Sequence, residues 1–418
     1  MKMGLPILAA GALVLASAES ASAGYTEKSL HDFCSKANCK DGGIPIAGLL
    51  ADSSGDLYGT ADEGGTGADG LVFELVPDAG KYKFSVLHDF GTDGLMYPES
   101  GLIRDKKGSL YGTAHQGGGN GYGAVYRLSY NGSKWKLTAL HQFSGGDGEY
   151  PATGLTYAGQ ASGNAWDGFS PLFGTASEGG TYGNGVAYEL VRNGSAWTET
   201  VIHNFEDSQA PNELLEDTAG NLWGTARLGG KYGGGLMYKL ASGTWNQTVV
   251  HNFCNTQNCA DGYEPEGRLY MDSARNVFGV TAEGGANCQD RGGCGVVFER
   301  TSGGTYGVIY NFCLLANCTD GTSPLAGLLA DGSGHLLGTT FWGGSNCQND
   351  GGCGTVFRLT NKNGTWSESA AYSFCAKPDC SDGDSPLAPL MMDAHGSFFG
   401  TTAYANNGFG NVFELEPK

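Results

Sequence analysis

Apolar positions in this chain come in short runs, and each run stops at a glycine-rich turn. Residues 101–143 show the unit: Gly101-Leu102-Ile103-Arg104-Asp105, a Lys106-Lys107-Gly108 turn, then Ser109-Leu110-Tyr111-Gly112-Thr113. A stretch from His115 to Gly121 leads into Ala124-Val125-Tyr126-Arg127-Leu128, and Asn131-Gly132-Ser133 turns into a run from Trp135 to Phe143. Runs of this length, bounded by Gly, Asn and Asp, predict four antiparallel strands joined by tight turns, here called A to D.

The B signature recurs seven times: Tyr58-Gly59-Thr60, Tyr111-Gly112-Thr113, Phe173-Gly174-Thr175, Trp223-Gly224-Thr225, Phe278-Gly279-Val280, Leu337-Gly338-Thr339 and Phe399-Gly400-Thr401. Its intervals of 50 to 62 residues match a four-stranded propeller blade. D strands end in His-x-Phe or Tyr-x-Phe, at His31, His88, His141, His203, His251, Tyr310 and Tyr372. The first of these precedes any A strand, and the last unit stops after its C strand, Asn411 to Leu415. The expectation is an all-β, seven-bladed propeller of four-stranded antiparallel blades, with residues 25–33 completing the last blade and removing the open edge. The recurring histidines read as packing or hydrogen-bonding groups rather than metal ligands, because separate blades hold them apart.

Residues 1–23 read as a secretory signal peptide: Lys2, an apolar run from Leu5 to Leu15, and Ala21-Ser22-Ala23, with Ala16-Ser17-Ala18 as a second possible cleavage site. Residues 24–418 then form a single propeller domain, secreted or periplasmic, with no membrane insertion. The net charge of -19, from 43 acidic and 24 basic residues, repels phosphate backbones and argues against nucleic acid as a partner.

The two faces of such a ring differ. A-to-B turns are terse Asp-x-x-Gly hairpins, as at Asp52 and Asp105, except that residues 158–170 are inserted in blade three. The other face carries the D-to-A and B-to-C connections. Each D-to-A connection places an aspartate ahead of a proline: Asp41, Asp93, Asp147, Asp207, Asp261, Asp320 and Asp382. Turn chemistry accounts for each one locally; together, around a channel mouth, they would suit calcium, although no dedicated calcium loop or other cofactor motif accompanies them.

All twelve cysteines fall on this face in close pairs: Cys34–Cys39, Cys254–Cys259, Cys313–Cys318 and Cys375–Cys380 in D-to-A connections, Cys288–Cys294 and Cys347–Cys353 in B-to-C loops. Residues 90–94 and 143–148 omit both the cysteines and most of the segment between them, so pair and insertion come together. Local disulfides are expected in an exported chain; zinc loops usually have tighter spacing and couple two pairs. Tyr122, Tyr182 and Tyr232 occupy comparable B-to-C places, and Phe341-Trp342 stands where blade five has Glu283. Aromatic rings beside carboxylates suit a carbohydrate surface; the plainer reading packs the tyrosines between blades.

The ordered anchors Gly327-Leu328-Leu329-Ala330-Asp331, Leu336-Leu337-Gly338-Thr339, Gly343-Gly344 and Gly354-Thr355-Val356-Phe357-Arg358-Leu359 resemble the GloVer tandem repeat of exported bacterial choice-of-anchor proteins, from about Ser29 to Leu415. The chain is also distantly similar to the periplasmic propellers of two-component sensors. The first resemblance implies an exported or cell-surface repeat protein, without an assigned activity. Three functions fit: a non-catalytic module binding a glycan or a protein; a polysaccharide hydrolase or lyase using face carboxylates, with Asp261, Glu264, Glu266 and Glu283 the densest candidates; and an assembly scaffold. A sialidase would need basic residues gathered at the channel, where Arg227, Arg268 and Arg291 are few.

Overall fold

A computed structural model describes residues 24–163, 165–206, 210–286, 294–346, 353–405 and 407–418. The expected signal segment, Asp207, Arg291, Cys288 and Cys347 lie outside the described residues. Seven four-stranded antiparallel sheets form the chain. Blade two is typical, with A at Ile103–Arg104, B at Leu110–Ala114, C at Ala124–Tyr130 and D at Trp135–Gln142.

Blade seven is assembled from both ends of the described chain. Its A, B and C strands are Met391–Met392, Phe398–Thr402 and Asn411–Pro417, and its D strand is Tyr25–Asp32. Tyr25 pairs with Pro417 and Asp32 with Asn411, so the ring closes as expected. Across the closing seam, Thr401 Oγ1 donates to the carbonyl of Ala47, 3.3 Å away.

That bond explains the threonine of the repeat. Thr60 donates to Ser100 O, Thr113 to Thr153 O, Thr175 to Asn212 O and Thr339 to Ala388 O, each reaching the segment that leads into the A strand of the next blade. The glycine before it has a different role. Opposite each B-strand glycine stands a C-strand aromatic, as Gly112 opposite Tyr126 and Gly400 opposite Phe413. A Cβ on Gly112 would lie 2.7 Å from the Tyr126 hydroxyl, so the ring can lie across the strand only where no side chain intervenes. The phenylalanine that follows each D strand then packs against the covering ring of the next blade, edge-on in Phe90 on Tyr126 at 5.3 Å and Phe374 on Phe413 at 5.1 Å, tilted in Phe253 on Phe298 at 5.2 Å. These buried aromatics, with leucines and valines around them, form a hydrophobic cluster at each blade junction.

Among the described residues no helix is long and apolar enough to cross a membrane.

Candidate functional site

The A strands line a central channel of about 1140 Å³. Three blades put glycine immediately ahead of the A-strand leucine, at Gly48, Gly101 and Gly154, and blade six repeats it at Gly327. Blades four and five put Glu213 and Arg268 there instead, and the two side chains meet in the channel with Arg268 Nε 3.4 Å from Glu213 Oε1. Arg268 Nη2 also donates to Gln160 Oε1 at 2.9 Å. Gln160 belongs to the blade-three insertion, which folds back over the channel and is anchored by Gly159 N donating to Glu216 Oε2 at 2.8 Å. Trp166 of the same insertion is buried edge-on against Tyr111. The channel is thus braced by a charged cluster towards the A-to-B face. Sequence reading missed this cluster, although its signal was present: two charged residues in a glycine slot.

At the opposite mouth, the residue before each proline has a left-handed backbone: Ile44, Tyr97, Tyr150, Ala210, Glu264, Ser323 and Ser385, with φ from 42° to 59°. Residues ahead of proline ordinarily favour extended backbone. Here two inter-loop hydrogen bonds impose the left-handed form. In blade two Tyr97 N donates to Asp69 O of blade one, and Tyr97 O accepts from His115 N. The same exchange holds at Ile44, Tyr150, Ser323 and Ser385. Strain of this kind is maintained by its surroundings and gathers at functional sites.

The position just past the B strand varies most: Asp62, His115, Ser177, Arg227, Phe341 and Ala403 in the blades that end in alanine or threonine there. Two of these organise charged groups. Arg227 Nη2 lies 2.7 Å from Glu264 Oε2, and Arg227 Nε lies 3.2 Å from Glu266 Oε1. Burial, opposed by Arg227 and reinforced by Glu264, pushes the Glu266 carboxyl up to about 7. Burial and then the charge of Glu264 also raise Glu283. Glu264, Glu266 and Glu283 therefore gather around Arg227, while Asp261 is held elsewhere.

His115 is the second organiser. Its Nδ1 stands 3.1 Å from Glu99 Oε2, and its ring stacks on Tyr150 at 5.2 Å. Burial would lower the His115 pKa, but the hydrogen bond and charge of Glu99 outweigh it and hold the pKa above its ordinary value. Asp62 is pushed up to about 7 by burial first and by Glu99 second, and its buried Oδ1 has no hydrogen-bond partner.

The aspartates of the D-to-A connections occupy another place. Asp382 accepts from Tyr372 Oη at 2.7 Å and from the backbone of Ala376 and Lys377 at 2.8 and 3.1 Å. Asp320 is bound in the same way by Tyr310, Leu314 and Leu315. His31, His88, His141 and His251 contact Asp41, Asp93, Asp147 and Asp261. The D strand is outermost in each sheet, so these carboxylates sit at the rim, and none of them lines the channel. The disulfides Cys34–Cys39, Cys254–Cys259, Cys313–Cys318 and Cys375–Cys380 close the same loops. Cys294 and Cys353 are disulfide-bonded as well.

Aromatic side chains divide by exposure. Tyr122 is half-buried and packs against Tyr150, whereas Tyr182 is 54%, Tyr232 43%, Tyr404 42% and Trp342 38% exposed. Trp342 is braced by Phe341, its ring centroid 4.2 Å away.

The repeat anatomy is matched by one family model, the Gloeobacter/Verrucomicrobia repeat, over residues 19–166 and 160–348. The chain belongs to this family. No curated protein matches the chain. Among solved structures, a streptogramin B lyase superposes with TM-score 0.56 at 14% identity, covering 94% of this chain and 98% of that one. A chain of a nidogen/laminin complex superposes with TM-score 0.41 at 13% identity, covering 72% and 89%. At 14% identity the likeness to the lyase is one of fold.

Proposed function

We propose that this repeat protein is an exported, non-catalytic binding module that recognises a glycan across its stapled loop face. The observation that carries this reading is the exposure of Tyr182, Tyr232, Trp342 and Tyr404 on that face, in reach of solvent beside a mouth lined with carboxyls. Exposed rings offer a surface for the apolar face of a sugar, and carboxylates accept from its hydroxyls. Loops tied by disulfides and by buried aspartates lose little freedom on contact, which favours binding by about 0.5–1.5 kcal/mol for each side chain already ordered. Disulfides also fit an oxidising compartment, in keeping with residues 1–23 as a signal peptide and 24–418 as one mature domain.

A glycan array probed with the mature chain, with and without calcium, tests the reading. Binding that falls at least tenfold in Trp342→Ala or Tyr404→Ala supports it; silence in both arms overturns it and redirects the search to a protein ligand.

A second reading draws on one specific observation. Glu266, half-protonated near neutral pH, stands with Glu264 on a shared arginine, an arrangement able to give and take a proton in glycan cleavage. New chain ends released from polysaccharides by the wild type and lost in Glu266→Gln would establish a hydrolase or lyase. No new ends after prolonged incubation would remove that reading.

A further inference from the structure

In each blade, the D-strand residue four places before the histidine or tyrosine faces the preceding blade. Phe84 stacks on His31 at 3.8 Å, and Tyr306 stacks on His251 at 3.6 Å. Between blades two and three this slot holds Glu199. Glu199, His141 and Asp147 each bring one ligand atom within 4.8 Å of the others, and His141 Nε2 lies 3.0 Å from Asp147 Oδ2. Glu199 Oε1 is buried and has no hydrogen-bond partner.

The sibling slots differ in chemistry. Phe84, Leu137, Gln247 and Tyr306 bring no carboxylate. Glu368 and Glu27 occupy the slots beside Tyr310 and Tyr372, where a phenol replaces the imidazole, and Glu27 already pairs with Lys377. Among the described residues, the junction of blades two and three is where an imidazole and two carboxylates from neighbouring blades bring their ligand atoms within 4.8 Å of one another. The junction is also open. Its connection, residues 144–148, has no cysteine pair, and Asp147 is 21% exposed, whereas Asp41, under its disulfide loop, is 0% exposed.

We propose that His141, Asp147 and Glu199 bind a divalent first-row transition ion such as zinc, clamping blade two to blade three at a connection that has no disulfide. One imidazole nitrogen and two carboxylate oxygens form a mixed set suited to zinc, with the fourth tetrahedral position left to water. Ligand atoms about 2.0–2.2 Å from zinc stand roughly 3.4 Å apart, so the histidine and aspartate, hydrogen-bonded at 3.0 Å, need open only by a few tenths of an ångström as the ion replaces the shared proton, and the glutamate closes the set by a rotamer change. No described cysteine is free to compete.

Zinc chloride titrated calorimetrically into chelator-treated mature protein tests this. One ion per chain, raising the melting temperature, is expected, and Glu199→Gln and His141→Tyr should each weaken uptake by about 10–100-fold or more. His141→Tyr keeps the fold, because Tyr310 and Tyr372 hold their aspartates from the same position. His251→Tyr, at the equivalent place in another blade, should leave uptake unchanged. Absence of saturable uptake up to millimolar zinc, or unaltered affinity in either Glu199→Gln or His141→Tyr, overturns the proposal.

Discussion

Tyr306 lies flat on His251 of the preceding blade, ring centroids 3.6 Å apart and planes within 4° of parallel. The same imidazole contacts Asp261 through Nε2 at 3.1 Å, and Tyr306 Oη donates to the Asp261 carbonyl at 2.6 Å. One histidine thus ties a D strand, the next blade and the loop between them. His251→Ala leaves a buried carboxylate short of a partner and a ring without its stack, so unfolding in urea should show a loss of about 2–4 kcal/mol. His251→Tyr should recover more than half, since tyrosine serves at Tyr310 and Tyr372. Equal losses in both variants would refute the tie.

Ring closure makes a second prediction. Without residues 24–32 the strand Asn411–Pro417 has an unpaired edge, and such edges recruit other strands. The truncated chain should elute as oligomers and lose its cooperative transition. A monomer with the wild-type melting temperature would show that the last blade stands on three strands.

The stapled loops are braced twice, by sulfur and by aspartate. Replacing Cys375 and Cys380 together with serine should cost about 2 kcal/mol on the chain-entropy account. Asp382 still holds the backbone of Ala376 and Lys377, so the loop remains folded. Adding Asp382→Ala should cost more than the two losses summed, by about 1 kcal/mol, because both braces order the same residues. Strict additivity in the double-mutant cycle would mean that they act separately.

The frame of this molecule was legible because its anchors recur in the same order in every unit, whether they act within a sheet or on the next blade. Gly112 needs Tyr126 across the same sheet, and the His/Tyr-x-Phe ending needs the connection that follows it. Blade five, with Val280 at the threonine position, shows that a lost anchor still reads as a blade. The mouth was not legible for the opposite reason. Arg227 meets Glu264 and Glu266 across a blade junction, through a left-handed residue ahead of Pro265 that local rules would place in extended backbone. Glu199 likewise reaches His141 only through the angle between blades. Departures from the repeat, at Glu213, Arg268 and Arg227, were the available signal, and they mark where the ring departs from its own symmetry.

Buried acids give the fold a pH dependence of definite sign. Glu368 occupies the slot beside Tyr310; burial first, and then the charge of Asp320, push its carboxyl from 4.5 up to about 8. Between those values the folded chain holds a proton that the unfolded chain has released, so stability falls as pH rises through about 8. Glu266 and Asp62, each raised to about 7, act in the same direction. His31, which burial lowers from 6.5 to about 4, acts in the opposite direction, but only between those two values. The sign is therefore clear on the alkaline side, and the unfolding free energy should decline from pH 6.5 to about 8. Glu368→Gln keeps the shape and removes one titration. It should be more stable than wild type at pH 8 and should show a shallower decline, followed by urea unfolding across the range. A decline as steep as that of the wild type would place the titrating group elsewhere.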